Sequence, residues 1–438
     1  MAGGNWVTQN KVRPGAYINF VSEGGSPGAL GERGVTALAL TLPWGPANQI
    51  LTIEADEDTS PKLGYDLTAP ALLPVREALK RAKTVLLYRL SAGVKATKTV
   101  GNLTATARYG GERGNDLSVI VRTNVDDNAK FDVITLLNGE AVDTQIAAEA
   151  PDLHANDWIA FTGTGALTAS AGTALTGGSN GTSSNADHLA FLAALELQEF
   201  QTVALVSTDN SLKAVYAAFA KRLRDDEGKK IQAVLENYPS ADHEGIVTVK
   251  NGVVLSDGTV LTAAQATAWV AGATAGAAIN QSLTYDAYDD AVDAYPRYTN
   301  AQTVAALVAG ELLFTASGGK AVVEQDINSL TGFSPDKGSN FRKNRVIRVL
   351  DGIGNDFKRI FESYYAGKLN NNADGRSLLK SAYISYLDSL QAASAIQNFS
   401  AQTDITVTAG SESDSVYIEA SIQPVDSVEK IYMKVKVK

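Results

Sequence analysis

The residues best able to do chemistry in this chain are few. Histidine occurs three times, at His154, His188 and His243, and cysteine is absent. Thiolate catalysis, disulfide frameworks and Cys-based zinc sites are thereby excluded, and little is left for transition-metal or acid–base work. Gly177-Gly178-Ser179-Asn180-Gly181 has the letters of a nucleophile elbow, with Asp242 and His243 later in the order a triad requires. An elbow must end a buried strand and open a helix, whereas Ser179 follows Ala174-Leu175-Thr176 in a tract of small polar residues too weak for a central strand. A serine hydrolase using Ser179 stands as an alternative that this context disfavours.

Four carboxylates, Asp286, Asp289, Asp290 and Asp293, have i, i+3, i+4, i+7 spacing and would converge on one face of a helix, where a hard cation could take their oxygens. No EF-hand spacing accompanies them, and Tyr285, Tyr288 and Tyr295 are interleaved, so the expectation is a solvated acidic face or one that meets a basic partner. Gly110–Asp116 lacks the lysine and the following helix of a phosphate loop and reads as a tight turn. Arg342-Lys343-Asn344-Arg345, with Arg348 one turn on, opens a helical segment without base-stacking aromatics. Surface salt bridging within or between subunits is the reading for this cluster, Arg342, Lys343, Arg345 and Arg348. No catalytic, cofactor or metal site is expected.

The elements that position these residues follow from composition and periodicity. A chain of 438 residues exceeds one compact core, so two to four domains are expected. The formal net charge of −10 gives no general affinity for phosphate backbones or anionic lipid, which argues against nucleic-acid contact. The N-terminal MAGGNWVTQNKVRPG lacks the apolar core of a secretory signal, and no stretch approaches the ~20 apolar residues that span a bilayer. A soluble product of the cytoplasm, with no direct membrane insertion, is the expectation.

Residues 1–22 read as an N-terminal arm, in which the Pro14-Gly15 turn leads to alternating Tyr17, Ile18 and Phe20. Residues 23–94 and 186–335 alternate strand and helix patterns, as an α/β sheet covered on both faces does. Between them, residues 95–185 show alternating runs broken by Gly and Asn turns, an inserted small all-β domain. Residues 336–426 carry two helical stripes and then strands, a C-terminal α+β domain.

Residues 427–438 form the most informative local pattern. Ile431, Met433, Val435 and Val437 fall on one face of an extended chain, and Lys430, Tyr432, Lys434, Lys436 and Lys438 on the other. One reading is an ordinary edge strand of its own domain, blunted by lysines. The other is a strand donated to a neighbouring subunit by β-augmentation, with Val428 at its start.

Taken in order, Arg13-Pro14-Gly15-Ala16-Tyr17, Gly31-Glu32-Arg33-Gly34, Pro43-Trp44-Gly45-Pro46, Ala107-Arg108-Tyr109-Gly110, Gly114-Asn115-Asp116 and Leu175-Thr176-Gly177-Gly178 resemble segments of the contractile phage tail sheath family, in its Gram-positive prophage branch. So do Ala271-Gly272 through Tyr285, Glu324-Gln325-Asp326-Ile327-Asn328-Ser329-Leu330, Arg345-Val346 and Asp426–Tyr432. The likeness covers nearly the whole chain, and order and spacing carry it more than any single motif. It implies a structural subunit, with no enzymatic role, that stacks in hexameric rings as a helical sheath around a tail tube. The baseplate and tail terminator would be further partners. It further implies that terminal arms of neighbours add strands to a C-terminal-domain sheet, and that contraction drives the tube through an envelope. The expected place is the tail of a phage or phage-tail-like particle assembled in a bacterial cytoplasm. A cell-surface or adhesion protein with a ligand-binding β insertion is the competing class; the missing signal peptide speaks against it.

Overall fold

The computed structural model describes residues 30–437, together with two short strands, Ala2–Gly4 and Gly15–Tyr17, paired in parallel. The chain divides into two compact units, Glu32–Asn355 with Val425–Lys438, and Met1–Gly31 with Asp356–Pro424.

The larger unit is built on a sheet of seven strands. Its strands are β1 (Val35–Leu40), β2 (Ile50–Glu54), β3 (Thr84–Arg89), β4 (Thr202–Ala204), β5 (Gln232–Glu236), β6 (Ile246–Val249) and β7 (Glu311–Leu312). They lie in the order β7-β6-β5-β4-β1-β3-β2, parallel except for the antiparallel edge pair β2–β3. Strand parity assigns each side chain to a face. Leu38, Leu40, Val85, Leu87, Val234 and Val247 pack with helices α1 (Leu73–Leu79) and α4 (Ala263–Gly276). Ala37, Ala39, Leu86, Tyr88, Leu235 and Ile246 pack with α2 (Asn185–Glu196) and α3 (Asn210–Asp225). Continuous apolar strands are what a sheet covered on both faces requires.

Helix α4 begins in a reciprocal cap, Thr262 Oγ1 accepting from Gln265 N while Gln265 Oε1 accepts from Thr262 N. Its small residues let α1 approach closely: a Cβ on Gly272 would lie 2.2 Å from the Ala78 carbonyl oxygen, and one on Gly276 1.9 Å from that of Arg81. Trp269 of α4 stacks on Tyr288, ring centroids 4.4 Å apart.

The insertion is a sandwich of two antiparallel sheets, of four and three strands, running from Thr97–Val100 to Ser170–Ala174. Leu103, Val119, Val121, Val133 and Ile159 fill it, and Trp44 packs against Trp158 and Tyr109 at its base. Within Gly110–Asp116, expected as a turn, Glu112–Asp116 form a short 3-10 segment, and the Gly110 carbonyl before it accepts from buried Arg89 at 2.7 Å. Burial without a carboxylate partner lowers the Arg89 guanidinium to about 10.

The smaller unit takes the last turn of helix α6 (Asn344–Ile360), helix α7 (Ala373–Ala392) and the hairpin β8 (Ile405–Ala409) and β9 (Val416–Ala420). Phe357 stacks on Tyr383, centroids 4.1 Å apart, with Tyr386 edge-on. Among the described residues β8 and β9 pair only with each other, so each has an outer edge with open backbone groups. Beside β9 runs a groove of about 510 Å³ lined by Phe357, Phe361, Leu379, Tyr383, Val416 and Ile418.

Three expectations need correction. Residues 286–290 are not helical: Tyr285 and Asp290 have φ of 60° and 61°, left-handed values that break a helix, and strand Ala291–Tyr295 follows. Their carboxylates are spent on ion pairs, Asp289 and Asp286 on Arg81 at 2.6 and 3.2 Å and Asp293 on Arg297 at 2.7 Å. Arg348 is not a surface cation; it is 2% exposed and bonds to Asp326. Residues 427–437 pair with no strand among the described residues, so the reading of them as an edge strand of their own domain is not met.

Candidate assembly site

The arm leaves the larger unit through one carboxylate. Glu429 Oε1 accepts from Thr284 Oγ1 at 2.8 Å and Oε2 from Gln325 Nε2 at 2.7 Å. Lys343 Nζ forms an ion pair with the same Oε2 and lies 3.8 Å from Asp426. Burial works to raise the Glu429 carboxyl, but these donors outweigh it and hold it below its ordinary value.

Each donor is fixed by a buried framework. Thr284 Oγ1, which donates to Glu429, accepts from Asp326 N at 3.0 Å. Asp326, 1% exposed, accepts from Leu283 N, Asn344 Nδ2 and Arg348 Nη2. Asn328 Nδ2 donates to the Phe341 carbonyl and Asn328 N to that of Arg342, which zips segment 326–328 to the residues that open α6. Gln325 and Lys343 thus stand on two strapped segments, and the root is preorganised.

Beyond the root, residues 430–437 pair with no strand among the described residues. Ile431, Met433, Val435 and Val437 are 75–94% exposed, Val428 is 87% exposed, and Lys430, Lys434 and Lys436 are exposed as well. Ile18, Phe20 and Lys438 lie outside the described residues, and Tyr17 ends strand Gly15–Tyr17. Lys343 is spent within the subunit. The guanidinium groups of Arg342 and Arg345 bond to no partner among the described residues, each with a buried Nε. Glu429 was missed in the sequence, although a signal existed: it is an acid on the same parity as Ile431, Met433 and Val437. The clean alternation begins at Lys430, where the arm begins.

The chemical candidates come apart. Ser179 is exposed and pairs through its backbone with Val94, while Asp242 Oδ1 accepts from Thr331 N and Gly332 N. No elbow or triad forms. Asp225, His243 and Glu244 bring donor atoms within 4.8 Å of one another. His243 Nδ1, however, accepts from Gly245 N at 3.0 Å, so Nε2 carries the proton and faces Asp225 Oδ2 at 3.2 Å. A metal ion on Nε2 would need the opposite tautomer.

With fold and arm in view, the comparisons agree along the chain. Residues 33–90 match the model for the tail sheath protein Gp18 domain III N-terminal region, 91–180 the phage tail sheath protein beta-sandwich domain, 181–329 the central domain and 336–438 the C-terminal domain. A solved sheath tail protein from Desulfitobacterium hafniense is 60% identical, with 97% of this chain and 100% of that one covered and a TM-score of 0.88. The phage-like element PBSX protein XkdK of Bacillus subtilis strain 168 is 41% identical over the full length of both chains. The anti-feeding prophage helical sheath in its contracted state is 16% identical over 97% of this chain and 99% of its own, with a TM-score of 0.57, which shows a shared fold. The chain belongs to the phage tail sheath family. It is therefore a sheath structural subunit, and that family implies a phage tail or a phage-tail-like particle.

Proposed function

We propose that this chain polymerises as stacked hexameric rings into a helical sheath around a tail tube, and that the sheath contracts to drive the tube through a host envelope. The observation that carries this reading is the arm. Residues 430–437 alternate apolar and cationic side chains, are exposed with no strand partner among the described residues, and start from an anchored root. A strand of that kind is completed by a ladder on another subunit. The open edges of β8 and β9 and the apolar groove beside β9 support the receiving side of the exchange.

In this reading residues 336–426 are the assembly domain. Ile431, Met433, Val435 and Val437 enter a neighbour's sheet together with Tyr17, Ile18 and Phe20 of the N-terminal arm. Lys430, Lys434, Lys436 and Lys438 face out, and with Arg342 and Arg345 meet carboxylates of adjoining subunits. A head-to-tail contact of this sort does not close on itself and so propagates. Main-chain bonds in an exchanged strand persist while subunits rotate as rigid bodies. The tail tube, the baseplate and a tail terminator are the other partners, and assembly takes place in the host cytoplasm. Contraction draws on a kinetically trapped extended state and needs no cofactor.

The test compares the full chain with one ending at Glu429, each expressed alone, concentrated and viewed by negative-stain electron microscopy. The full chain should give sleeves; the shortened one should remain a folded monomer with an unchanged circular dichroism spectrum. Sleeves from the shortened chain would refute strand exchange through the C-terminal arm.

A further inference from the structure

We propose that the outer face of helix α5 (Asn300–Val308), with Tyr285 and Arg342, is a lateral docking surface for a second copy of this chain. The inference rests on the reading of the C-terminal arm as a donated strand. A solvent-facing helix ordinarily carries charge on its outer side. From Thr299 to Gly310 this segment has none, although Val304 is 51% and Val308 67% exposed. Tyr285 adds an aromatic ring, 62% exposed, turned outward by a left-handed backbone that a bulky residue rarely adopts. Together with Leu307 these side chains border a depression of about 470 Å³, and Arg342 lines the same wall.

Arg342 identifies what the surface lacks. Its guanidinium is partly buried and bonds to no group among the described residues, and burial alone lowers it from its ordinary value. Glu324 lines the depression too but accepts from Thr315 Oγ1 at 2.6 Å. An apolar face bordered by two cations with no partner among the described residues, Arg342 and Lys430, is complementary to an apolar surface that carries carboxylates. A chain with 48 acidic against 38 basic residues offers such carboxylates widely.

The occupant follows from where the arm departs. Glu429 and Lys430 line this same depression, so the free strand begins at its edge. Residues 431–437, fully extended, reach about 23 Å at roughly 3.3 Å per residue. The subunit that receives them must therefore abut the wall from which they emerge, and the uncovered α5 face is continuous with that exit.

Two variants and one cross-link test this. Val308→Glu and Arg342→Glu change exposed or half-exposed positions. Each should keep the wild-type circular dichroism spectrum and melting temperature while raising the protein concentration needed for sleeve formation at least tenfold. Benzoylphenylalanine in place of Val304, irradiated in assembled sleeves, should yield a species of twice the chain mass. Assembly of both charge variants at the wild-type concentration overturns the proposal, as does a cross-link that stays at single-chain mass or joins a different protein. If a charge variant does not fold, the cross-link decides. The chain ending at Glu429 is run in parallel: if it is arrested while the α5 variants assemble normally, this surface fails and the arm reading stands. If it assembles while the α5 variants do not, the arm reading is the one that falls.

Discussion

Replacing Glu429 with glutamine keeps the shape of the arm root and removes its charge. In the wild type the carboxylate is clasped by Lys343, by Gln325 Nε2 at 2.7 Å and by Thr284 Oγ1 at 2.8 Å, and its side chain is 9% exposed. Hydrogen bonds to a charged group contribute about 1.5–3 kcal/mol each, and desolvating the carboxylate offsets part of that. A net loss on the order of 2–4 kcal/mol in docking the root is expected, which multiplies the released population about 30- to 1000-fold. The chain has no cysteine, so Val428→Cys, 87% exposed in the parent, gives a single site for a nitroxide. In the monomer its electron paramagnetic resonance spectrum should narrow in E429Q toward that of a label at position 432. Lys343→Met should narrow it similarly, and the double variant should add little, since the two side chains act as one unit.

Acid should do the same to the wild type. The Glu429 carboxyl is held below its ordinary value when docked, so docking is at full strength above the free carboxyl value of ~4.3 and is lost as pH falls through the lowered one. E429Q should show no such transition. An unchanged spectrum in E429Q, or an acid transition that survives the substitution, would refute the clasp.

Gly272→Val drives a side chain into the Ala78 carbonyl oxygen and should destabilise the larger unit by about 1–3 kcal/mol or more, read as a lower urea midpoint. Asp351→Ala strips the buried Arg224 guanidinium of its only hydrogen-bonded carboxylate among the described residues, two bonds at 2.7 and 2.8 Å, leaving the one to the Ile231 carbonyl, and should cost about 3–5 kcal/mol; adding Arg224→Met should recover part of the loss. Burial holds His188 and His243 below their ordinary value despite nearby carboxylates, so the unfolded chain takes up protons first. Monomer stability, followed by urea titration, should therefore be full above about pH 6.5 and decline as pH falls from there toward the lowered values. Replacing both histidines with glutamine should flatten that slope.

The sheet and its covering helices were legible because their signals are local. Runs such as Val85-Leu86-Leu87-Tyr88 specify a strand buried on both faces, and the alternation from Lys430 onward specifies an extended arm. The clasp was not legible: Glu429 meets partners 86, 104 and 145 residues away, which no window of sequence brings together. The aspartates from 286 to 293 misled for the same reason. Their spacing suits a helix, but the left-handed turns at Tyr285 and Asp290, and Arg81 more than 200 residues upstream, decide their conformation. Arg348 looked like a surface cation because its partner, Asp326, is supplied by another segment.

Completion of a sheet in another copy of the chain by the arm is seen most directly by electron cryo-microscopy of assembled sleeves. Continuous density is expected in which residues 430–437 form a strand hydrogen-bonded to β8 or β9 of a neighbouring subunit, with Glu429 still at Lys343 of its own. Density that turns residues 430–437 back onto their own subunit, or sleeves in which they pair with nothing, would contradict it.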